Sequence, residues 1–357
     1  MTRRPSLDVV IVTWNHGGLL TRCLASLGAG RRPNHRIDRV VVVDNGSNSP
    51  GGSDSHAGIP RVVFIRNPGN RGFAAGCNQG VLGSHADYLL FLNPDTVVEA
   101  DALGKAVEFL EDPSNASTGL LGLQIVDDRG RPQATCGRFP TPLNILWQVS
   151  GLSLLAPARF RGVRMTDWAH RESRSVDYAS AAALLVRRAL FEQLGGFDER
   201  FFVYLEDVDL SQRARQHGWR THYAAGAAVM HADGWSRGQD RAWRLAQGWL
   251  SLLQYGWKHL GRGGTVAVAL TVFLVAPAAR LAQATVHRSG RDARAALVGY
   301  LHLWSLLART LVMTVRTPAA RPVADPPQSD GRRVPAPAVS PCSGKRHRST
   351  RPWSGIQ

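Results

Sequence analysis

Cysteine is scarce in this chain of 357 residues: Cys23, Cys77, Cys136 and Cys342 are widely scattered and form no CxxC. That excludes a disulfide framework and a cysteine-ligated zinc site, and the four residues suit a reducing compartment as small apolar fillers. No GxGxxG follows the first apolar run, which excludes a dinucleotide dehydrogenase. No Lys/Arg stripe is interleaved with aromatics, and no zinc-finger or helix-turn-helix pattern occurs, so nucleic acid is not an expected partner. Near the N-terminus the apolar run covers only residues 9–12. A secretory signal needs about 7–15 such residues, so the chain is expected to start in the cytoplasm and remain on that side.

Acidic residues are also in short supply, with 27 Asp+Glu against 43 Lys+Arg and a formal net charge of +16. The excess by itself suits nucleic acid, anionic lipid or a phosphorylated substrate equally. Its placement is more informative. Residues 316–357 carry eight Lys/Arg and two Asp, so that tail supplies +6 of the charge, whereas the stretch around Asp95 is not basic.

Apolar runs and turn residues alternate regularly through the first two thirds of the chain. Residues 7–12, 39–43, 61–65, 88–92 and 119–126 read as strands, and 177–186 as a strand-like stretch rich in Ala. Residues 221–230 form a last strand leading to His231. Helical spacing occupies 19–27, 70–81, 101–110, 187–194 and 208–217, and 139–171 reads as a long loop with short helices. Alternation at this spacing predicts βαβ units, a mainly parallel sheet and right-handed crossovers that gather the loops along one rim.

After Ser236 the character changes. Trp243, Trp249 and Trp257 punctuate an aromatic-rich helix, and 17 residues between Arg262 and Arg280 carry no charge. A spanning helix needs about 20 apolar residues. Helices of this kind lie in the membrane interface or form the core of an ordinary second domain. Beyond Pro318 the composition predicts disorder. Three regions are therefore expected: 1–236, 237–316 and 317–357.

Two strands end in acid. Val40-Val41-Val42-Val43 runs into Asp44-Asn45-Gly46-Ser47, and Tyr88-Leu89-Leu90-Phe91-Leu92 into Asn93-Pro94-Asp95-Thr96. Taken singly, Asp44 and Asp95 read equally as turn formers. Taken together they place two carboxylates on the carboxyl edge of one sheet, where open α/β folds hold ligands, and they point to a nucleotide with a divalent metal.

Six motifs occur in order: Thr13-Trp14-Asn15; Asp44 to Ser47; Asn70-Arg71-Gly72-Phe73-Ala74-Ala75-Gly76-Cys77-Asn78-Gln79-Gly80; Asn93-Pro94-Asp95; Gly195-Gly196-Phe197-Asp198-Glu199-Arg200-Phe201-Phe202; and Glu206-Asp207-Val208-Asp209-Leu210. Over residues 7–236 the chain resembles family-2 glycosyltransferases of the GT-A fold, in particular their rhamnosyltransferase-like branch. The resemblance implies an inverting, metal-dependent transferase that moves L-rhamnose from dTDP-L-rhamnose to a lipid-linked or cell-wall polysaccharide acceptor. It would work at the cytoplasmic face of the membrane, as a peripheral or monotopic protein.

By that resemblance Asp207 is the base beside Glu206. Thr13, Asn15, Asp44, Asn45, Arg71, Gly72, Asn93 and Asp95 line the nucleotide-sugar site, and Asp95 with His231 holds Mg²⁺ or Mn²⁺. Many relatives have Asp where Asn93 stands, which leaves one carboxylate in place of two. Asp209 and Arg213 form an i,i+4 pair, and Asp198 orders its loop. The residues also admit a membrane-attached nucleotide-sugar-binding protein without turnover. A sugar-phosphate nucleotidyltransferase fits less well, because Thr13-Trp14-Asn15-His16-Gly17-Gly18 lacks the basic residue such a loop needs.

Overall fold

The computed structural model describes residues 3–30, 34–48, 61–165, 167–231 and 241–316, with side chains to residue 309. The expected disordered tail lies outside the described residues. Residues Met1–Leu311 form one compact unit, which contains every side chain discussed below.

The first half alternates as the periodicity predicts: β1 (Ser6–Thr13), α1 (Gly18–Ala29), β2 (Arg36–Asp44), β3 (Val62–Arg66), α2 (Phe73–Val81) and β4 (Tyr88–Leu92). Then come β5 (Thr96–Val98), α3 (Ala102–Glu111), β6 (Thr118–Val126), β7 (Cys136–Gly137), α4 (Pro142–Val149), α5 (Leu152–Leu155), β8 (Arg174–Val176) and β9 (Tyr178–Ala179). β10 (Ala183–Arg187), α6 (Arg188–Gln193), α7 (Glu206–Gln216) and β11 (Arg220–His231) complete this part. Strands β5, β7 and β8 went unread in the sequence because two or three residues are too few to show a period.

The fold is mixed α/β with a mostly parallel central sheet, in the order β3-β2-β1-β4-β10-β6-β11-β5, and β8 pairs with β11. β2, β1 and β4 run parallel, with Thr13 opposite Asp44 and Ile11 opposite Leu92. Their carboxyl ends therefore reach one rim together. All eight residues of β1 are buried, as a central strand covered on both faces requires. Leu7, Val9 and Ile11 join the cluster under α1 and α3, whereas Val10 and Val12 join the one under α2, α6 and α7. Three strands depart from parallel order: β10 runs antiparallel between β4 and β6, and β5 and β8 each pair antiparallel with β11.

The expectation of one strand over 177–186 is corrected. β9 and β10 are separated at 180–182, where the backbone turns aside to meet other partners. The Ala181 N–H donates to the Asp207 carboxylate (3.0 Å), and the Ala182 carbonyl accepts from the Asn93 N–H (2.9 Å).

Two of the sequence motifs fold against one another. Asn78 of α2 accepts from the Phe197 N–H (2.9 Å) and donates to the Phe197 carbonyl (2.8 Å). Phe197 packs edge-on against Phe91 of β4, with ring centroids 4.8 Å apart. Gly76 and Gly80 let α2 settle onto β1, because a Cβ on either would meet Val12 or Val10 at 2.8 or 2.4 Å.

Three helices follow: Arg241–His259, Gly261–Val286 and Gly290–Arg316. The uncharged stretch belongs to a longer helix than its composition implied, because Arg262 and Arg280 are themselves helical. Gly261–Val286, with 26 residues, is long and apolar enough to cross a membrane by length and composition. It contains a π-helical segment at Thr271–Val275. Leu270, Leu274, Leu281 and Val286 are exposed on it.

Candidate functional site

The rim formed by the ends of β1, β2 and β4 brings together most of the residues singled out by sequence. Asp44 is buried, and its Oδ1 accepts from the Ser47 N–H (2.9 Å) and hydroxyl (2.5 Å). Its Oδ2 has no hydrogen-bond partner among the described residues and lies 3.9 Å from Arg66 Nε. Asn15 sits opposite in a left-handed conformation (φ 62°), its N–H donating to Ser47 Oγ (2.8 Å) and its Oδ1 accepting from the Asn48 N–H (2.8 Å). The ends of β1 and β2 are thus tied into one pocket wall that leaves an Asp44 oxygen as an acceptor.

Asn45 and Gly72 are placed differently. Asn45 Nδ2 donates to the Gly72 carbonyl (2.9 Å), and its Oδ1 accepts from Asn67 (2.9 Å), so both polar ends are engaged within the protein. Gly72 has φ 90°, and a Cβ there would lie 2.5 Å from the Phe202 carbonyl. That carbonyl accepts from the Phe73 N–H at 2.7 Å. The first amide of α2 is therefore already bonded, and Arg71 is exposed beside it.

The chain from Asn93 to Thr96 is a tight turn: Thr96 Oγ1 donates to the Asn93 carbonyl (2.7 Å), and Asn93 itself is held by Ala182. It projects Asp95, which is 4% exposed. Thr96 pairs across the sheet with His231, the last residue of β11 rather than the one after it. His231 Nε2 consequently stands 3.2 Å from Asp95 Oδ2. Asp95 Oδ1 is buried with no hydrogen-bond partner among the described residues. A buried carboxylate oxygen without a partner is costly unless something cationic meets it.

Among the described residues no three His, Cys, Asp or Glu cluster as a metal cage. Asp95 and His231 nevertheless fit a hard divalent ion that takes its remaining ligands from water and phosphate. Carboxylate and water suit Mg²⁺ and Mn²⁺.

His16 was not singled out by sequence, although it directly follows Thr13-Trp14-Asn15. Its Nδ1 accepts from the Trp14 N–H (3.1 Å) and lies 3.2 Å from Thr13 Oγ1. Burial lowers its pKa to about 4; Asp95 opposes that shift and His231 adds to it. Both influences place His16 beside Asp95 and His231 at the same rim, and it is neutral at physiological pH.

The acidic helix start closes the other side. Tyr204 (φ 70°) and Leu205 (φ 66°) are consecutive left-handed residues ahead of α7. Such conformations cost about 1–3 kcal/mol each and persist only when the surroundings over-determine them. Asp207 accepts from the Ala181 N–H (3.0 Å) and the Val208 N–H (2.8 Å). Burial raises its pKa above the ordinary aspartate value despite those donors. It therefore keeps more basicity than the helix dipole alone would leave it.

Glu206 is buried deeper, and its pKa is pushed well above the usual range by burial first and the Asp207 charge second. Tyr178, whose phenol is held protonated by burial and then by the Asp207 charge, lies on the same side. Asp177 ties this side to residues 139–171 by accepting from the Phe139 N–H (2.9 Å).

The buried acid gives a signed stability prediction. Unfolded glutamate ionises above about 4.3, whereas burial holds the proton on Glu206 to well above that in the folded protein, so folding carries a penalty that grows as pH rises from the unfolded towards the folded pKa. Glu206→Gln removes it. Its stability relative to wild type should increase between about pH 5 and 8, by at most about 1.4 kcal/mol per pH unit. Urea unfolding at both pH values measures this, and an equal difference at the two would contradict it.

A family profile, "Glycosyl transferase family 2", matches residues 8–194. An N-acetylglucosaminyl-diphospho-decaprenol L-rhamnosyltransferase of Mycobacterium tuberculosis is 32% identical over 257 residues, covering 67% of this chain and 80% of that protein. Rhamnosyltransferase WbbL of Escherichia coli is 28% identical over 148 residues, covering 41% and 52%. Among solved structures, mannosyltransferase PcManGT from Pyrobaculum calidifontis, in complex with GDP-Man and Mn²⁺, is 19% identical. It overlaps with a TM-score of 0.47 across 89% of this chain and 82% of that one.

Proposed function

We propose a donor, an acceptor and a mechanism for this chain, which belongs to glycosyl transferase family 2 and is a glycosyltransferase of the rhamnosyltransferase-like kind. The donor is dTDP-L-rhamnose, the acceptor is a lipid-linked or cell-wall glycan at the cytoplasmic membrane face, and transfer inverts the anomeric centre. The observation that carries this is a short hydrogen-bonded path: Asp207 to the Ala181 N–H, and the adjoining Ala182 carbonyl to the Asn93 N–H. It fixes the acid at the start of α7 to the turn that carries Asp95.

Asp44 Oδ2 accepts from the pyrimidine ring N–H, and Thr13 and Asn15 line the base pocket. Arg71 meets the diphosphate from the start of α2. Asp95 and His231 would hold the divalent cation, Mg²⁺ or Mn²⁺, which when bound would stabilise the charge developing on the leaving diphosphate. Asp207 takes the proton from the acceptor hydroxyl as its oxygen attacks the anomeric carbon opposite the leaving group. Its raised pKa suits that task. The apolar helix Gly261–Val286, which carries Arg262 and Arg280 at either end of its uncharged stretch, supports a membrane-held acceptor, since basic residues beside apolar surface favour anionic headgroups.

A panel of dTDP-, UDP- and GDP-sugars, incubated with membrane extract and either Mn²⁺ or Mg²⁺, tests this reading. Transfer from dTDP-rhamnose alone supports the donor. Transfer from a UDP- or GDP-sugar instead replaces it, and consumption of none, with no nucleotide bound, ends the mechanism.

A further inference from the structure

Asp209, two residues beyond Asp207 on α7, is completely buried. One counter-charge comes from its own helix, with Arg213 Nε at 2.8 Å from Oδ2. Two more cationic or hydrogen-bonding groups come from far along the chain: Lys258 Nζ at 2.5 Å and His259 Nε2 at 2.7 Å, both on Oδ1. Burial pushes the Asp209 carboxyl up, but His259, Arg213 and Lys258 together hold it below its ordinary value.

Lys258 also reaches Asp198 Oδ2 at 2.6 Å. One ammonium thus bridges the Gly195–Asp198 loop and α7. On the same helix, Ser251 Oγ donates to the Val203 carbonyl (2.8 Å), and Tyr255 is buried against Phe201 and Val208. These contacts fall on both sides of Tyr204 and Leu205: Val203 is held just before the two left-handed residues and Asp209 just after them. A strained turn of this kind needs outside support to keep one conformation. The support comes from helix Arg241–His259, and the residue the turn aims is Asp207.

We propose that Lys258 and His259 are positioning residues that act through Asp209 to hold the aim of Asp207, making helix Arg241–His259 a strap across the catalytic turn. The proposal rests on the reading of Asp207 as the base. Arg213, from the same helix, holds Oδ2, whereas Oδ1 is held from the distant helix by Lys258 and His259.

The test uses the full chain with Lys258→Met and Lys258→Arg, and His259→Gln as a second, independent variant. Three quantities are read: kcat and KM for the donor, hydrogen exchange of the amides from Leu205 to Val208, and the melting temperature. Lys258→Met should lower kcat by up to about 10²-fold, the usual effect of a small misplacement, with the donor KM nearly unchanged. The four amides should exchange faster, and Lys258→Arg should restore most of both readouts. His259→Gln should shift both in the same direction by less. Unaltered exchange and kcat in Lys258→Met would overturn the proposal, as would a parallel fall of kcat, donor affinity and melting temperature that Arg fails to rescue. If the wild type turns over no sugar nucleotide, the transferase mechanism fails, and exchange at these amides decides the strap alone.

Discussion

Asp207→Asn should lower the rate of sugar transfer by about 10²- to 10⁴-fold, the usual contribution of a general base, while donor binding stays nearly unchanged. In the proposed mechanism Asp207 takes a proton, and its hydrogen bonds run to residues 181 and 208 rather than to the ends of β1 and β2. Its two carboxylate oxygens accept from the Ala181 and Val208 N–H groups. An amide offers one oxygen and one NH₂, so one of those bonds is lost, at a cost of about 1 kcal/mol. A melting curve separates that small penalty from the loss of chemistry. The pH profile gives a second check: burial raises the pKa of Asp207, so wild-type activity should decline on the acid side at a pH above about 4, where exposed aspartates titrate. Unchanged transfer by Asp207→Asn would remove this residue from the mechanism.

Asp95→Ala should reduce transfer by about 10²- to 10³-fold, because a cation at a developing charge contributes several kcal/mol. Stimulation by Mn²⁺ or Mg²⁺ should vanish in the same variant. The folded protein should not suffer: Asp95 is buried, one of its oxygens has no hydrogen-bond partner among the described residues, and the other stands beside His231. Removing an unsatisfied buried acceptor typically relieves about 1–3 kcal/mol, so equal or greater stability is expected from urea unfolding. Metal stimulation that survives the substitution would place the cation elsewhere.

Much of this site was legible because its strands are covered on both faces. Such strands read as unbroken apolar runs, and the first polar residue after each run marks the rim; Asp44 and Asp95 were found that way. His231 was picked out by its place at the end of the last strand and by the family resemblance; its pairing with Thr96, beside Asp95, had no signal in the sequence. Less legible were the features that depend on contacts distant in sequence. Asn45 reads like a ligand residue but joins Gly72 to Asn67. The break at 180–182 has no local signal, since its cause is a carboxylate 26 residues away. The pair Asp209–Arg213 was readable from helical spacing, whereas Lys258 and His259 on the same carboxylate were not. His16 could have been found from its place beside Thr13-Trp14-Asn15.

Calorimetric titration of the wild-type chain with dTDP, once with Mn²⁺ and once with EDTA, probes the shared rim most directly. A nucleotide pocket joined to an Asp95–His231 cation site predicts binding at least about ten-fold tighter with the metal, a gain of about 1.4 kcal/mol. Equal affinity under both conditions would contradict it, because the diphosphate would then be held without the cation proposed for this rim.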